Sequence, residues 1–405
     1  MTYFTFLRDN TRWLSASYLL TVFSGFGQTF FISLSGGDIR VEFGLSHGDL
    51  GLLYMVATLG SALTLPYVGK SVDYFPVQKV AAVVIAGLAL SCFLLAYSTS
   101  IWFVALSFYG LRLCGQGMMT HTSMTAAGRW FSAQRGRAVS VAMLGFPTAE
   151  AVFPICFVAL SATLGWRSAW TTGSAVLVLF ALPVVLLLLA KDRVPTAAEV
   201  ATAKPEGRQW TRAEVLRDPV FWLASLGINA PAFIGTSIFF HQVYLVELRG
   251  WTLELFASAF LLMAAGVVCA SLIIGPLIDR FSARQLLPFT LIPLTIACVV
   301  IATIHAPFAA FLFMGLVGIS NGFNGTLVGA LWPEVYGTRH MGAIRSAAFA
   351  MMVFASAAGP GLIGWLIDAG IPFDTQVLTM AFYCLVFCFV MAGSARIYRQ
   401  REQSL

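Results

Sequence analysis

The sequence predicts an all-α membrane protein with twelve transmembrane helices in two pseudo-symmetric six-helix bundles. Three observations carry that prediction. Of 405 residues, 59% are hydrophobic and only 10% charged, against about 25% charged in a soluble domain. Apolar runs recur along the chain, each long enough to cross about 30 Å of hydrocarbon at about 1.5 Å per residue. The second half also repeats landmarks of the first at an offset of 206 positions, pairing Gly60 with Gly266, Gly69 with Gly275, Asp73 with Asp279, Gly136 with Gly342 and Pro154 with Pro360. A parallel repeat of six-span halves implies a pseudo-two-fold axis along the membrane normal.

The spans follow in order. Trp13–Leu34 has basic flanks at Arg8 and Arg12. It is too long for a signal peptide and no small-residue cleavage site follows, so it is expected to remain as a helix. Gly48–Val68 ends in the loop Gly69-Lys70-Ser71-Val72-Asp73, Val77–Tyr97 is almost uniformly apolar, and Ile101–Met124 carries Arg112. Gly136–Ala159 contains Gly145, Pro147 and Pro154, which predict a bend, and Trp166–Ala190 follows Gly165. The second half comprises Val220–Val246, Thr252–Leu277, Leu286–His305, Pro307–Leu331, Gly342–Ile367 and Gln376–Ile397. Gly359-Pro360-Gly361 with Gly364 makes a flexible stretch in the eleventh of these. The expected organisation is an N-terminal bundle over 1–190, a charged cytoplasmic linker over 191–218 with a short surface helix within Trp210–Asp218, and a C-terminal bundle over 219–405.

Charge sets the orientation. With the N-terminal arm inside, the inside segments hold 20 of the 24 Lys and Arg residues, the outside loops only Arg40, Arg167 and Arg249, and the membrane Arg112. This asymmetry places both termini in the cytoplasm. The net charge of +6 therefore reflects topology, with no nucleic-acid partner implied. All seven cysteines fall within spans, so no disulfide framework is expected, and the Asn324-Gly325-Thr326 sequon is buried in a span. The chain has no metal-ligand spacing, no Gly-x-Ser-x-Gly and no phosphate-cradling Gly-x-x-x-x-Gly-Lys. Neither an enzyme, a cofactor nor an ATP-driven pump is expected; coupling would come from a gradient or from exchange.

The Gly69-x-x-x-Asp73 loop and its echo at Gly275 and Asp279, Arg112 with Gly115 and Gly117, and Gly165-Trp166-Arg167 together resemble the major facilitator superfamily over nearly the whole chain. Trp130-Phe131 through Gly136, and Glu334-Val335-Tyr336-Gly337 followed by Gly342, look like its monocarboxylate and oxalate/formate branch. Pro76-Val77-Gln78-Lys79 stands where the first loop motif usually ends in Gly-Arg-Arg. The resemblance implies a monomeric, alternating-access transporter of a small-molecule substrate in a bacterial inner membrane, with its first, fourth, seventh and tenth spans lining a cavity.

Arg112 is the focus. A charge at the centre of a span costs about 2.5–3.5 kcal/mol on insertion scales and marks a functional site unless a partner explains it. Glu150 lies at a matching depth of about 15–17 Å, so the two are expected to pair. That pair is either structural, or contested by a substrate carboxylate that takes Arg112 while Glu150 takes up a proton, giving proton-coupled anion symport. Gln116, Gln28, Asn229, Asn321 and Asn324 are polar at mid-depth, and each reads either as a substrate contact or as glue between helices. His121 and His241 are read as hydrogen-bonded residues rather than proton relays. Gly69 and Gly275 are expected to permit close packing, and Asp73 and Asp279 to close the cytoplasmic side by facing the helix starts of the eleventh and fifth spans. The expected function is transport of a monocarboxylate-like anion. Efflux of apolar or cationic compounds and a transport-like membrane sensor stay open as alternatives.

Overall fold

A computed structural model of the chain describes residues 3–131, 134–191, 193 and 209–403. Its described secondary structure is helical, without strands. Ten helices are long and apolar enough to cross a membrane, and the bent pair Thr11–Gly27 with Thr29–Phe43 makes an eleventh. The remaining expected span runs helically through Ile101–Gly110, Leu111–Met119 and Thr120–Trp130, set apart from the others by the polar Arg112 and Gln116. The chain divides into two compact units, Met1–Leu45 with Leu53–Thr202, and Ser46–Leu52 with Ala203–Leu405. Most of the expected linker lies outside the described residues. Its described end holds the short helix Arg212–Arg217, started by a capping box in which Thr211 and Glu214 each bind the other's backbone N–H.

In the first unit, the core is built where the first span meets the fifth and sixth. Phe31 makes edge contacts with Phe26, Phe153, Phe157 and Trp170, and the Trp170 indole N–H donates to Ser35 Oγ at 3.1 Å. Such packing matters because lipid tails are as apolar as leucine, so helices associate through shape and internal hydrogen bonds.

The repeat extends to backbone conformation. The first span ends at Gly44 and the seventh, continued by Gln242–Arg249, ends at Gly250, both left-handed at φ +63°. Those two glycines are 206 positions apart, and only glycine adopts that conformation without a Cβ penalty.

Within each unit, the ends of corresponding spans are joined by the same clamp, with the charges reversed. In the first unit, Arg167 at the start of the sixth span pairs with Glu42 at the end of the first and donates to the carbonyls of Ala96 and Ser98 after the third. In the second unit, Arg249 at the end of the seventh span pairs with Asp374 at the start of the twelfth and donates to the Ile301 carbonyl of the ninth at 2.7 Å. Glu42 and Arg249 are 207 positions apart, as are Arg167 and Asp374. Base and acid have exchanged places while the geometry is kept.

At the other end of the second unit, Asp218 caps the seventh span through Val220 N–H at 3.0 Å. It also accepts both Arg401 nitrogens, at 2.6 and 2.9 Å, and the Tyr336 hydroxyl at 2.9 Å. Burial alone would raise the Asp218 carboxyl, but these donors outweigh it and hold it below the usual carboxylate range. The cluster ties the starts of the seventh span to the ends of the tenth and twelfth.

The two clamps differ in burial, with the Arg249 side chain 2% exposed and that of Arg167 32%. Arg249→Ala empties a buried position and leaves the Ile301 carbonyl and the part-exposed Asp374 without their donor, and is expected to cost about 2–3 kcal/mol. Arg167→Ala is expected to cost about 1 kcal/mol, since solvent takes over part of its role. Thermal unfolding of both variants in detergent checks the order; equal losses contradict it.

Candidate functional site

The site in the first unit begins with a break. The first span runs as an α-helix over Thr11–Phe23, tightens into a 3-10 turn at Ser24–Gly27, becomes extended at Gln28 (φ −85°, ψ 151°) and restarts at Thr29. Its two parts are bent by 45°. Facing it, the fourth span widens into a π-helix over Leu111–Met119, which contains Arg112, Gly115, Gln116 and Gly117. Such widened turns are frequent at functional positions.

Two glycines let these irregular stretches touch. A Cβ on Gly27 would lie 2.2 Å from the Leu111 carbonyl oxygen and 2.7 Å from Gly115 Cα, and one on Gly115 would lie 2.7 Å from Gly27 Cα. With the backbones this close, Arg112 Nη1 donates to the Gly27 carbonyl at 3.3 Å and sits 3.4 Å from Thr29 Oγ1. The guanidinium thus spans the break, holding the last carbonyl before Gln28 and the first side chain after it. Tyr54 of the second span, helical over His47–Val68, completes the surroundings, its ring 5.4 Å from the guanidinium carbon and its hydroxyl 2.7 Å from Thr29 Oγ1.

Arg112 is 1% exposed, and its Nε and Nη2 have no hydrogen-bond partner among the described residues. Those two atoms form one edge of the guanidinium fork, the edge that matches a carboxylate in a bidentate arrangement. A buried N–H left unmade costs about 1–3 kcal/mol, and more where the group is charged. Tyr54 offsets part of this through its ring face.

The expected pairing of Arg112 with Glu150 does not form: neither residue makes an ion pair or hydrogen bond with the other. The reason lies in what separates them. Segment Ser24–Gly27 packs Gly27 against Gly115 of the fourth span and Gly25 against Ala149 and Phe153 of the fifth, so the first span stands between the two charges. Depth along a helix was readable from the sequence; rotation about its axis was not. Glu150 is half-buried and makes no ion pair or hydrogen bond with any described residue.

The second unit repeats the arrangement without the charge. The seventh span is interrupted only at Asn229, a single residue that keeps a helical backbone (φ −87°, ψ −4°), between Pro219–Ile228 and Ala230–Phe240. Asn324 of the tenth span donates Nδ2 to the Ile228 carbonyl at 3.2 Å, the last one before the break. Its Oδ1 is buried and unpartnered. In each unit, therefore, a polar side chain of the fourth helix holds the carbonyl at which the first helix is interrupted. Gln28, Gln116, Asn229 and Asn321 are half-buried and make no hydrogen bond through their side-chain amides to another described residue.

The residues expected to gate fare differently. A Cβ on Gly69 would meet the Leu65 carbonyl oxygen at 2.8 Å and His121 Nε2 at 3.3 Å, whereas one on Gly275 would meet nothing within 4 Å. Close packing is thus a property of the first loop only; its echo kept the glycine after losing the neighbour. Asp73 lies 3.7 Å from Arg129, both more than half exposed. Asp279 is exposed and makes no ion pair or hydrogen bond with a described residue, while Glu334, read from the sequence only as part of a branch motif, caps the ninth span at Ala283 N–H (2.8 Å) and lies 3.4 Å from Arg284. His121 Nε2 lies 3.2 Å from the Gly69 carbonyl oxygen and His241 Nδ1 lies 2.9 Å from that of Ser237, as hydrogen-bonded histidines should.

The sequence profile of the Major Facilitator Superfamily matches residues 17–360. A protein of Mycolicibacterium smegmatis named as an MFS-type efflux pump is 27% identical over 291 residues, covering 69% of this chain and 67% of that one. Among solved structures, a bacterial homologue of the human lysosomal transporter Spinster, inward-facing and unoccupied, superposes with a TM-score of 0.73 at 15% identity, over 96% of this chain and 98% of that one. The nucleoside transporter NupG superposes at 0.69 and 17% identity, over 95% and 98%. At these identities the two structures speak to the fold.

The glycine crossing generates a prediction. Gly115→Ala forces the first and fourth spans apart and is expected to cost about 1–3 kcal/mol of stability through overpacking. Gly325→Ala, with nothing within 4 Å of its Cβ, is expected to stay within about 0.5 kcal/mol of the parent or to gain slightly. Thermal unfolding of the two variants reads the difference; a Gly115→Ala protein as stable as Gly325→Ala would show that the crossing carries no strain.

Proposed function

The chain belongs to the Major Facilitator Superfamily, and from that premise we propose that it is a secondary active transporter carrying a small, monocarboxylate-like organic anion by alternating access. The observation that carries this reading is the Nε and Nη2 edge of Arg112, which no described residue fills and beside which no described acid forms an ion pair. A substrate carboxylate supplies both the missing acceptors and the missing charge. The edge is sealed from solvent in this conformation, which suits a carrier that exposes its site to one side at a time.

Glu150 is the proton site of this proposal. It lies across the first span from Arg112 and makes no ion pair with any described residue, so a proton taken up on it together with an anion on Arg112 leaves the charge of the two residues and their cargo balanced. Gln28 and Gln116 offer amides beside Arg112, and Asn229, Asn321 and Asn324 offer them in the second unit. We place both termini in the cytoplasm, by the distribution of Lys and Arg, in a bacterial inner membrane.

A second reading has specific support. The Mycolicibacterium smegmatis relative is named an efflux pump, and an unpaired Glu150 would equally attract a cationic compound on its way out. The two readings assign opposite substrate charges to the same unit.

Flux of labelled small acids and of hydrophobic cations into vesicles, with and without a pH gradient, separates them. Anion transport predicts saturable acid flux, reduced about 10- to 100-fold in Arg112→Lys, which loses the planar fork. It predicts that Glu150→Gln retains exchange while losing its response to the pH gradient. Cation flux that depends on Glu150 and is indifferent to Arg112→Lys would establish the efflux reading; no flux of any solute would favour a sensor.

A further inference from the structure

Tyr54 of the second span meets the Arg112 site at both of its ends, and the two ends act on different helices. Its ring centroid lies 5.4 Å from the guanidinium carbon of Arg112, within the range of a cation–π contact. The same ring meets Phe108 edge-on, at 5.8 Å and 74°. Phe108 precedes Arg112 by four residues, one turn earlier on the fourth span. The ring is therefore pinned against two side chains of one helix, and both Tyr54 and Phe108 are buried.

The hydroxyl end reaches the first span. Tyr54 Oη lies 2.7 Å from Thr29 Oγ1, and Thr29 is the first residue of the helix that restarts after Gln28. Thr29 Oγ1 is in turn 3.4 Å from Arg112 Nη1, the nitrogen that also donates to the Gly27 carbonyl at 3.3 Å. A guanidinium NH2 carries two hydrogens, and these two acceptors take both. In a helix a threonine divides between two χ1 rotamers; the Tyr54 hydroxyl selects the one that offers Oγ1 to Arg112. A planar guanidinium held at one nitrogen by two acceptors and covered on one face by a pinned ring is free neither to shift nor to rotate. Its Nε–Nη2 edge, which no described residue fills, then points one way.

We propose that Tyr54, acting through Thr29, is the positioning residue that aims this edge of Arg112 and so sets a preference for carboxylates over other anions. A carboxylate binds the fork through two parallel N–H···O bonds and reaches full affinity only where the plane and the edge meet its approach. A spherical anion such as chloride responds to the charge alone. An arginine left to rotate keeps its attraction for both and loses the discrimination. The proposal rests on the reading of Arg112 as a carboxylate site, and one experiment separates the failure of either.

Binding of acetate and of benzoate to the purified protein is measured by titration calorimetry in chloride-free buffer, with chloride added as competitor. The parent is compared with Tyr54→Phe, which keeps the ring and removes only the hydroxyl, with Thr29→Val and with the double variant. Each single variant is expected to bind the carboxylates about 3- to 10-fold more weakly, the size of one lost hydrogen bond, while chloride competes as in the parent. The double variant is expected to match the singles, because both changes cut the same chain of contacts. Thr29→Ser, which keeps a hydroxyl, is expected to recover most of the loss. Unchanged carboxylate affinity in both single variants overturns the positioning role, and so does an equal loss for chloride, which marks a damaged site. A loss confined to one single variant, or additive in the double, overturns it as well, since Tyr54 and Thr29 then act separately. A parent that binds neither carboxylate overturns the reading of Arg112 itself and takes the proposal with it. Should Tyr54→Phe fail to fold, Thr29→Val against Thr29→Ser decides alone.

Discussion

The first unit depends on one hydrogen bond, from Arg112 to the carbonyl of Gly27. A helix broken inside a membrane exposes backbone groups that lipid cannot satisfy, and such breaks persist only where neighbouring protein takes over. Here the neighbour is a guanidinium, brought into reach by the Gly27–Gly115 crossing and by the widened turn of the fourth span. The second unit holds its interruption at Asn229 with the Asn324 amide. The two sites make different demands: Asn229 keeps a helical backbone and an amide suffices there, whereas the extended break at Gln28 is held by a guanidinium that also lies against Thr29 and the Tyr54 ring.

Reversal of charge between the units recurs away from the site. Arg167 with Glu42 and Arg249 with Asp374 occupy corresponding corners with acid and base exchanged. At the other end, Asp73 with Arg129 is answered by Glu334 with Arg284. What the repeat preserves is the need for opposite charges bridging neighbouring helix ends; either arrangement of signs meets it. The units therefore diverged in sequence without losing their joints.

This explains what could be read from the chain alone. The spans were legible because apolar runs of spanning length are set by the thickness of a bilayer, and the repeat was legible wherever both copies kept the same glycine, proline or aspartate. The exchanged ion pairs were invisible to that comparison, since at an offset of 206 Glu42 falls against Leu248 and Arg167 against Phe373, one position short of Arg249 and Asp374. The break at Gln28 was hidden because a glutamine within a span reads as a polar substituent on a continuous helix, and nothing local marks the extended residue. Arg112 was found by its depth; its neighbours were mistaken, because rotation of the fourth span about its axis depends on a glycine contact 88 positions away, between Gly27 and Gly115. Gly275 gives the opposite lesson, as a residue that matches its counterpart in type and not in surroundings.

The central claim is that the free edge of the Arg112 guanidinium is held ready for a carboxylate. Arginine-selective modification by phenylglyoxal, followed at Arg112 by mass spectrometry on the purified protein, tests it without any transport assay. The account predicts that small monocarboxylates slow modification of Arg112 in a saturable way while hydrophobic cations do not. Protection by cations with none by carboxylates would contradict it.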